Sequence, residues 1–274
     1  MRANSANISS TTDQLIAMLP SNWLPFAWIK KERANGAVSG TEGARKYNCL
    51  QYLRDNTFPE GPIALDCEMV GIGDDYRSAL ARVSIVAHDG AVLYDVISRP
   101  EEVITDYRTR WSGIRPSDMQ RAIPFESVRE QVLRIIENRV VVGHAIRNDF
   151  EVLKIEHPRD TTRDISSSTY AKAKARISTK GPVALRHLAY VLLGVRIQRK
   201  EHNSIEDAQA TMAIYRLIER EWETELGKKT PKRTRNTKTS TAENKGSPSP
   251  STQESSNLTI LSDDEYWTAV EEGD

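Results

Sequence analysis

An α/β domain with a mixed β-sheet is the fold class this sequence predicts, and three observations carry it. Apolar runs rich in branched residues recur at 63–72, 80–87 and 91–97, each of strand length. The last two are joined through Asp89-Gly90, a two-residue hairpin signal that makes them antiparallel neighbours. Beyond them helical and strand patterns alternate, which calls for a sheet with helices packed on it.

The elements follow in chain order. Residues 1–60 form an N-terminal extension with short amphipathic pieces: Leu15, Ile16, Met18 and Leu19 before Pro20, a Trp23, Phe26, Trp28 and Ile29 cluster, and a helical pattern around Tyr47, Leu50 and Leu53. Residues 61–226 hold the strong periodicity. After the three strands, Phe125, Val128, Val132, Ile135 and Ile136 mark an amphipathic helix, and Val140–Val142 a short buried strand. Residues 147–155 and 185–193 read as helices, the second closed by Gly194. The last helix spans about 204–226, with Ile205, Ala208, Met212, Tyr215, Ile218 and Trp222 as its apolar stripe.

Residues 227–274 are polar and lack a core-forming pattern, so disorder is expected there. This tail is polarised: residues 227–238 carry six Lys/Arg and no acid, residues 254–274 seven Asp/Glu and no base. The whole chain has 38 Lys+Arg and 38 Asp+Glu, so only the distribution of charge informs on partners. Two cysteines, Cys49 and Cys67, argue against a disulfide framework and for a reducing compartment. No apolar run approaches the ~20 residues of a membrane span, and the N-terminus lacks the apolar centre of a secretory signal. A soluble intracellular protein is expected.

Asp66 and Glu68 alternate with Leu65 and Cys67 along the first strand, so both carboxylates point to one face. They repel each other there, and a hard divalent cation would relieve the repulsion. Asp149 follows another apolar run, Asp207 lies at the start of the last helix, and His202 precedes it by five residues. Four carboxylates without interleaved lysine suit a pair of Mg²⁺ or Mn²⁺ ions, which can clamp a phosphodiester in an in-line displacement. A histidine outside the ligand set suits the base that deprotonates water.

Plainer readings exist for each residue. Asp-x-Glu on a strand is commonly solvated surface, and Asp207 is also the fourth residue of a capping box opened by Ser204. His144 suits a structural hydrogen bond at a strand end, His187 a helix surface, Asp164 a structural acid, and Glu206 a solvated position.

Three segments, Ala64-Leu65-Asp66-Cys67-Glu68-Met69-Val70-Gly71, Val142-Gly143-His144-Ala145-Ile146-Arg147-Asn148-Asp149 and His202-Asn203-Ser204-Ile205-Glu206-Asp207-Ala208, resemble the three motifs of the DEDDh exonucleases. More narrowly, Ile104-Thr105-Asp106-Tyr107-Arg108-Thr109, Trp111-Ser112-Gly113-Ile114, His157-Pro158 with Arg163-Asp164, and Leu185-Arg186-His187-Leu188-Ala189 resemble the Rex4-like and interferon-stimulated branch of RNA exonucleases. The resemblance covers roughly residues 60–220. It implies a DnaQ-like, ribonuclease H-like fold with a mixed sheet of about five strands flanked by helices, and 3′→5′ hydrolysis releasing nucleoside 5′-monophosphates. On it, Asp66 bridges two metal ions, Glu68 and Asp207 hold the ion on the nucleophile side, Asp149 holds the other partly through water, and His202 is the general base. Arg147, two residues before Asp149, stands where relatives often carry other residues such as His.

Substrate contacts are expected from Met69 and Val70 just past the acid pair, from His144, and from a basic loop at 159–186 with seven Lys/Arg against two Asp, including Lys172 and Lys174. Tyr107 and Trp111, interleaved with Arg108, Arg110 and Arg115, suit base stacking or packing, with packing expected for Trp111. In the tail, 228–235 resembles a nuclear import signal or an RNA-grasping arm, and Leu258-Thr259-Ile260-Leu261 before Ser262-Asp263-Asp264-Glu265 resembles a SUMO-interacting motif. The expectation is a metal-dependent 3′→5′ exoribonuclease on single-stranded RNA in the nucleus or nucleolus, with the cytoplasm as the other location and ribosomal RNA maturation or RNA turnover as its roles. A DNA-preferring exonuclease and a catalytically silent RNA-binding scaffold are the alternatives.

Overall fold

The computed structural model describes residues 58–229. The N-terminal helical pieces, Cys49, most of the 228–235 basic run and the SUMO-type motif lie outside the described residues. The chain divides into two units, Met1–Thr224 and Glu225–Asp274; the sheet and its site belong to the first.

The sheet is organised by β1 (Ile63–Ile72), whose bounds are those its apolar run predicts. Its full length pairs antiparallel with β2 (Arg77–Ala87), which pairs antiparallel with β3 (Val92–Arg99). The hairpin between them forms as expected, but its loop has three residues, not two. Ala87 N–H donates to Ala91 carbonyl at 2.8 Å, Gly90 takes φ 83°, and Asp89 Oδ1 accepts from Ala91 N–H. Glycine's freedom at positive φ lets the third loop residue close the turn.

The other edge of β1 is shared. Its start pairs in parallel with β6 (Val141–Gly143), which continues in parallel to β7 (Thr162–Asp164). Its end pairs with β4 (Ile104–Asp106), and a two-residue β5 (Ile123–Pro124) pairs in parallel with β3. Among the described residues the sheet therefore has seven strands, in the order β5-β3-β2-β1-β6-β7, with β4 beside β1. Five of these make the expected mixed sheet, and β4 and β5 are short additions at its margins.

Helices cover both faces. On one, α2 (Phe125–Ile136) buries Phe125, Val128, Val132, Ile135 and Ile136 against Ile63, Leu65, Val83 and Ile85; each such side chain contributes about 1.5–3 kcal/mol by leaving water. A short α1 (Thr109–Ser112) precedes it, and α3 (Arg147–Val152), shorter than expected, follows. On the other face, α4 (Thr169–Ala175), α5 (Leu185–Leu188) and the long α6 (Ser204–Lys229) enclose Ala64, Val86 and Val142. The helix expected at 185–193 changes after Leu188 into a π-helical turn, Ala189–Leu193, capped by Gly194 at φ 69°. The last helix runs to Lys229, three residues past its expected end. Among the described residues no helix is long and apolar enough to cross a membrane.

Candidate active site

Strand alternation decides what each side of β1 does. Ile63, Leu65, Cys67 and Met69 pack with the α2 core, while Ala64 packs with the α6 core. Asp66 and Glu68 share the Ala64 side and meet Asp207, in the first turn of α6. A carboxylate oxygen from each of the three lies within 4.8 Å of the others.

Their neighbours on the same face are polar. The register sets Asp66 opposite Ser84 and Glu68 opposite Arg82, and then Ser84 opposite Asp95. Arg82 grips Asp95 through two bonds, Nε to Oδ1 at 2.8 Å and Nη2 to Oδ2 at 3.0 Å. Ser84 Oγ donates to Asp95 Oδ1 at 2.8 Å and meets Ser204 Oγ at 2.6 Å. This chain of bonds ties the N-terminus of α6 to two strands. It also overturns the capping-box reading: Ser204 Oγ turns to Ser84, while Asn203 does the capping, its Oδ1 accepting Ile205 N–H and its carbonyl accepting Asp207 N–H.

Asp149 reaches the site through a gap. β6 pairs with β1 at Ile63 and Ala64, and β4 at Gly71 and Ile72, so the edge of β1 between them has no strand partner among the described residues. There the N–H of Cys67 donates to Asp149 Oδ1 at 2.8 Å. Asp149 thus abuts the cluster from the side, bonded to the backbone between Asp66 and Glu68. The turn leading to α3 is held by Asp164, whose Oδ1 accepts Ala145 N–H at 3.0 Å, Ser166 N–H and Ser166 Oγ. Ala145 sits at φ 52°, a conformation that needs such bracing. A Cβ at Gly143 would lie 2.6 Å from the Ile146 side chain, so the turn is closed to larger residues.

His202 precedes α6 on a segment fastened from two sides. Its N–H donates to Trp111 carbonyl at 2.8 Å, and Arg115 Nη2 meets Glu201 Oε1 at 2.5 Å. Gln198 Nε2 donates to Asp207 Oδ2 at 2.8 Å, and Glu206 accepts Gln198 N–H instead of standing solvated. His202 Nδ1 lies 3.6 Å from Asp207 Oδ2, beyond hydrogen-bond length. Burial, and then the charge of Arg186, push the imidazole down to about 4, so the ring is unprotonated at neutral pH, free to accept a proton but a weaker base than an ordinary histidine.

The carboxylates shift the other way. Burial and the mutual charges of Asp207, Asp149 and Glu68 raise Asp66 well above the usual range, Arg82 opposing. Glu68 is raised by burial and Asp207, with Arg82 and the Ser204 N–H opposing. Burial raises Asp207 to about 7 and Asp149 to about 8. Four buried side-chain oxygens lack a hydrogen-bond partner among the described residues, and two belong to this cluster, Glu68 Oε1 and Asp207 Oδ1. Converging carboxylates with elevated affinity for a proton and orphaned oxygens fit a hard divalent cation.

The expected substrate contacts fare unevenly. Met69 is half-buried on the α2 core, and Val70 is 0% exposed within its own cluster. His144 makes a structural bond at the strand end, its Nε2 meeting Val183 carbonyl at 2.7 Å, and burial lowers its affinity for a proton. Arg108 directs Nη1 to Ser78 Oγ and Nη2 to Tyr76 carbonyl. The 159–186 segment is not a loop, since it contains β7 and α4; Lys172 and Lys174 lie half-buried on α4. Arg163 from the same segment is 4% exposed and paired with Glu223. Tyr107 packs on the Val70 cluster, whereas Trp111, expected to pack, keeps 41% of its surface exposed.

Residues 63–215 match the family model RNase_T, described as Exonuclease. Bovine interferon-stimulated 20 kDa exonuclease-like 2 (Bos taurus) is 48% identical over 64% of this chain and 51% of the relative. Apoptosis-enhancing nuclease of Rattus norvegicus is 37% identical over 87% of this chain and 68% of its own, and RNA exonuclease 4 of Mus musculus 43% identical over 59% and 37%. The chain spans about half the length of the first of these relatives. Among solved structures, the Saccharomyces cerevisiae Pan2 pseudoubiquitin hydrolase-RNA exonuclease module in complex with A7 RNA superposes with a TM-score of 0.53 at 32% identity, covering 64% of this chain and 31% of the module's chain.

Proposed function

This chain belongs to the exonuclease family matched by its residues 63–215, and from that premise we propose that it is a metal-dependent 3′→5′ exoribonuclease acting on single-stranded RNA. The observation that carries the reading is the convergence of Asp66, Glu68 and Asp207 within 4.8 Å, with Asp149 bonded to the intervening backbone and His202 beside Asp207. Direct evidence of relatedness to RNA enzymes adds to it: RNA exonuclease 4 is among the relatives, and Pan2 is seen in complex with RNA.

Asp66, Glu68 and Asp207 would hold one divalent cation, Mg²⁺ or Mn²⁺, with Asp66 and Asp149 reaching a second. Bound there, the ions would supply Lewis-acid stabilisation of the phosphoryl oxygens and of the leaving oxygen. The protein's own part is positioning and proton transfer. Arg82, Asp95, Ser84 and Ser204 fix the start of α6 against β1 and β2. The neutral imidazole of His202 accepts the proton of the attacking water at Nε2, the ring nitrogen away from Asp207, because Nδ1 is the one facing the carboxylate. The product is a nucleoside 5′-monophosphate. The basic run at 228–235 fits a nuclear place of action, with ribosomal RNA maturation or RNA turnover as the role.

A 5′-labelled single-stranded RNA incubated with the full chain and Mg²⁺ should shorten stepwise from its 3′ end and be spared by chelator. Equal shortening of DNA would remove RNA preference, and no shortening of either polymer would remove the enzyme.

A further inference from the structure

Trp111 is out of place for a structural tryptophan. It stands on α1, a single helical turn whose inward residue, Ser112, is 4% exposed and bonded to Tyr107 carbonyl at 2.8 Å and Ile114 N–H at 3.0 Å. Gly113 closes that turn at φ 67°, and a Cβ there would come within 3.3 Å of His202 carbonyl. The turn is thus wedged against the His202 segment, and Arg115–Glu201 and the bond from His202 N–H to Trp111 carbonyl hold it there. The indole itself is left 41% exposed. The guanidinium of Arg110 lies 5.6 Å from its ring centroid.

An exposed aromatic ring on a residue whose backbone carbonyl takes the N–H of His202 has a physical use. An unpaired nucleobase can stack on such a ring whatever its identity, because each base presents a π-face. An arginine over the ring adds cation–π attraction and a charge for the phosphate backbone. An exposed indole away from any site would have neither the bracing nor the adjacency.

We propose that Trp111, with Arg110 beside it, is a stacking platform for an unpaired base of the RNA strand whose end occupies the acid cluster. The proposal rests on the exoribonuclease reading and adds a subsite to it. The platform grips the strand without regard to sequence, and a mononucleotide that fills only the cluster does not reach it.

The test is equilibrium binding of a fluorescein-labelled single-stranded oligouridylate to the full chain in the His202→Ala background, which removes the base but none of the acids and so keeps the strand intact, in Mg²⁺ buffer. Trp111→Ala should weaken binding about ten-fold, within the range given by one stacked base. Trp111→Phe should retain most of the affinity, and Arg110→Ala should lose less than Trp111→Ala. Uridine 5′-monophosphate, competed against the label, should bind Trp111→Ala and its parent alike. Unchanged oligonucleotide affinity in a folded Trp111→Ala would overturn the proposal and assign the ring to another partner. So would a Phe variant as weak as the Ala variant, or an equal loss for the mononucleotide, since either marks displacement of the His202 segment instead of lost stacking. A strand gripped through Trp111 by a wild-type chain that releases no nucleotide would remove the exonuclease reading and leave the platform standing.

Discussion

β1 has two sides that share a backbone and differ in everything else. Leu65 faces a dry core under α2, where the contacts are apolar; Cys67, half-buried on the same side, also reaches Asp149 with its thiol. Asp66 and Glu68, one residue out of phase, face the N-terminus of α6 through carboxylates, an Arg82–Asp95 pair and a Ser84–Ser204 bond. The first side stabilises the fold. The second is costly to it, because buried acids raised in pKa favour protonation over charge. Stability and chemistry are thereby separated along a single strand.

Adjacent substitutions should expose that separation. Asp66→Asn should lower turnover on the order of 10³-fold, the loss of several kcal/mol of charge stabilisation, while the thermal midpoint stays level or rises. Monophosphate release and a melting curve read both; a destabilised protein with normal turnover would invert the two sides. Leu65→Ala, its neighbour, should cost about 2–5 kcal/mol of stability through the cavity it leaves. Its remaining folded fraction should keep wild-type turnover per folded molecule, as denaturant melts combined with active-site titration would show.

The network beneath the acids should matter less than the acids and more than the surface. Asp95→Asn removes the two-bond grip on Arg82 and weakens the tie to Ser204. Outer partners of this kind are worth about 10–100-fold in metal affinity or activity. Metal titration at fixed substrate should show that loss, and an unchanged curve would mean the α6 terminus is held by other contacts.

The smallest effect is on pH. Without metal, Asp207 lies at about 7 and Asp149 at about 8, against about 3.9 in an unfolded chain. A carboxyl raised in the folded state contributes stability that is present below about pH 4 and is lost as pH rises through about 7–8. The chelated protein should therefore melt at progressively lower temperature from pH 5 to pH 8. Added Mg²⁺ or Mn²⁺ should raise the midpoint by an amount that grows over the same window. A metal-induced gain equal at pH 5 and pH 8 would detach those acids from the site.

Much of this arrangement is legible in the residues themselves. Ten-residue and twelve-residue patterns at Ile63–Ile72 and Phe125–Ile136 repeat often enough to define their own ends. Alternation alone sets Asp66 and Glu68 on one face. Strands of two or three residues, such as β4, β5 and β7, contain too few positions for a period. Arg82 and Asp95 became neighbours of the site through strand register. A shift between Glu68 and Met69, which passes over Ala81, alters that register, and no local pattern announces it. The packing expected for Trp111 fails, the residue standing 41% exposed, because a four-residue helix has no stripe from which to read its inner face. Within the basic charge at 159–186, Arg163 is buried and paired with the half-exposed Glu223, and the count of charges did not distinguish it from the rest.

Binding of Mn²⁺ to the full chain near pH 7.5, followed by electron paramagnetic resonance with and without Asp66→Asn, addresses the central claim most directly. Wild-type protein should remove free Mn²⁺ from the spectrum at about two ions per chain, as a two-ion phosphodiester site requires, and the substituted chain should leave most of it free. Identical uptake by the two proteins would contradict a metal centre at the acids of β1.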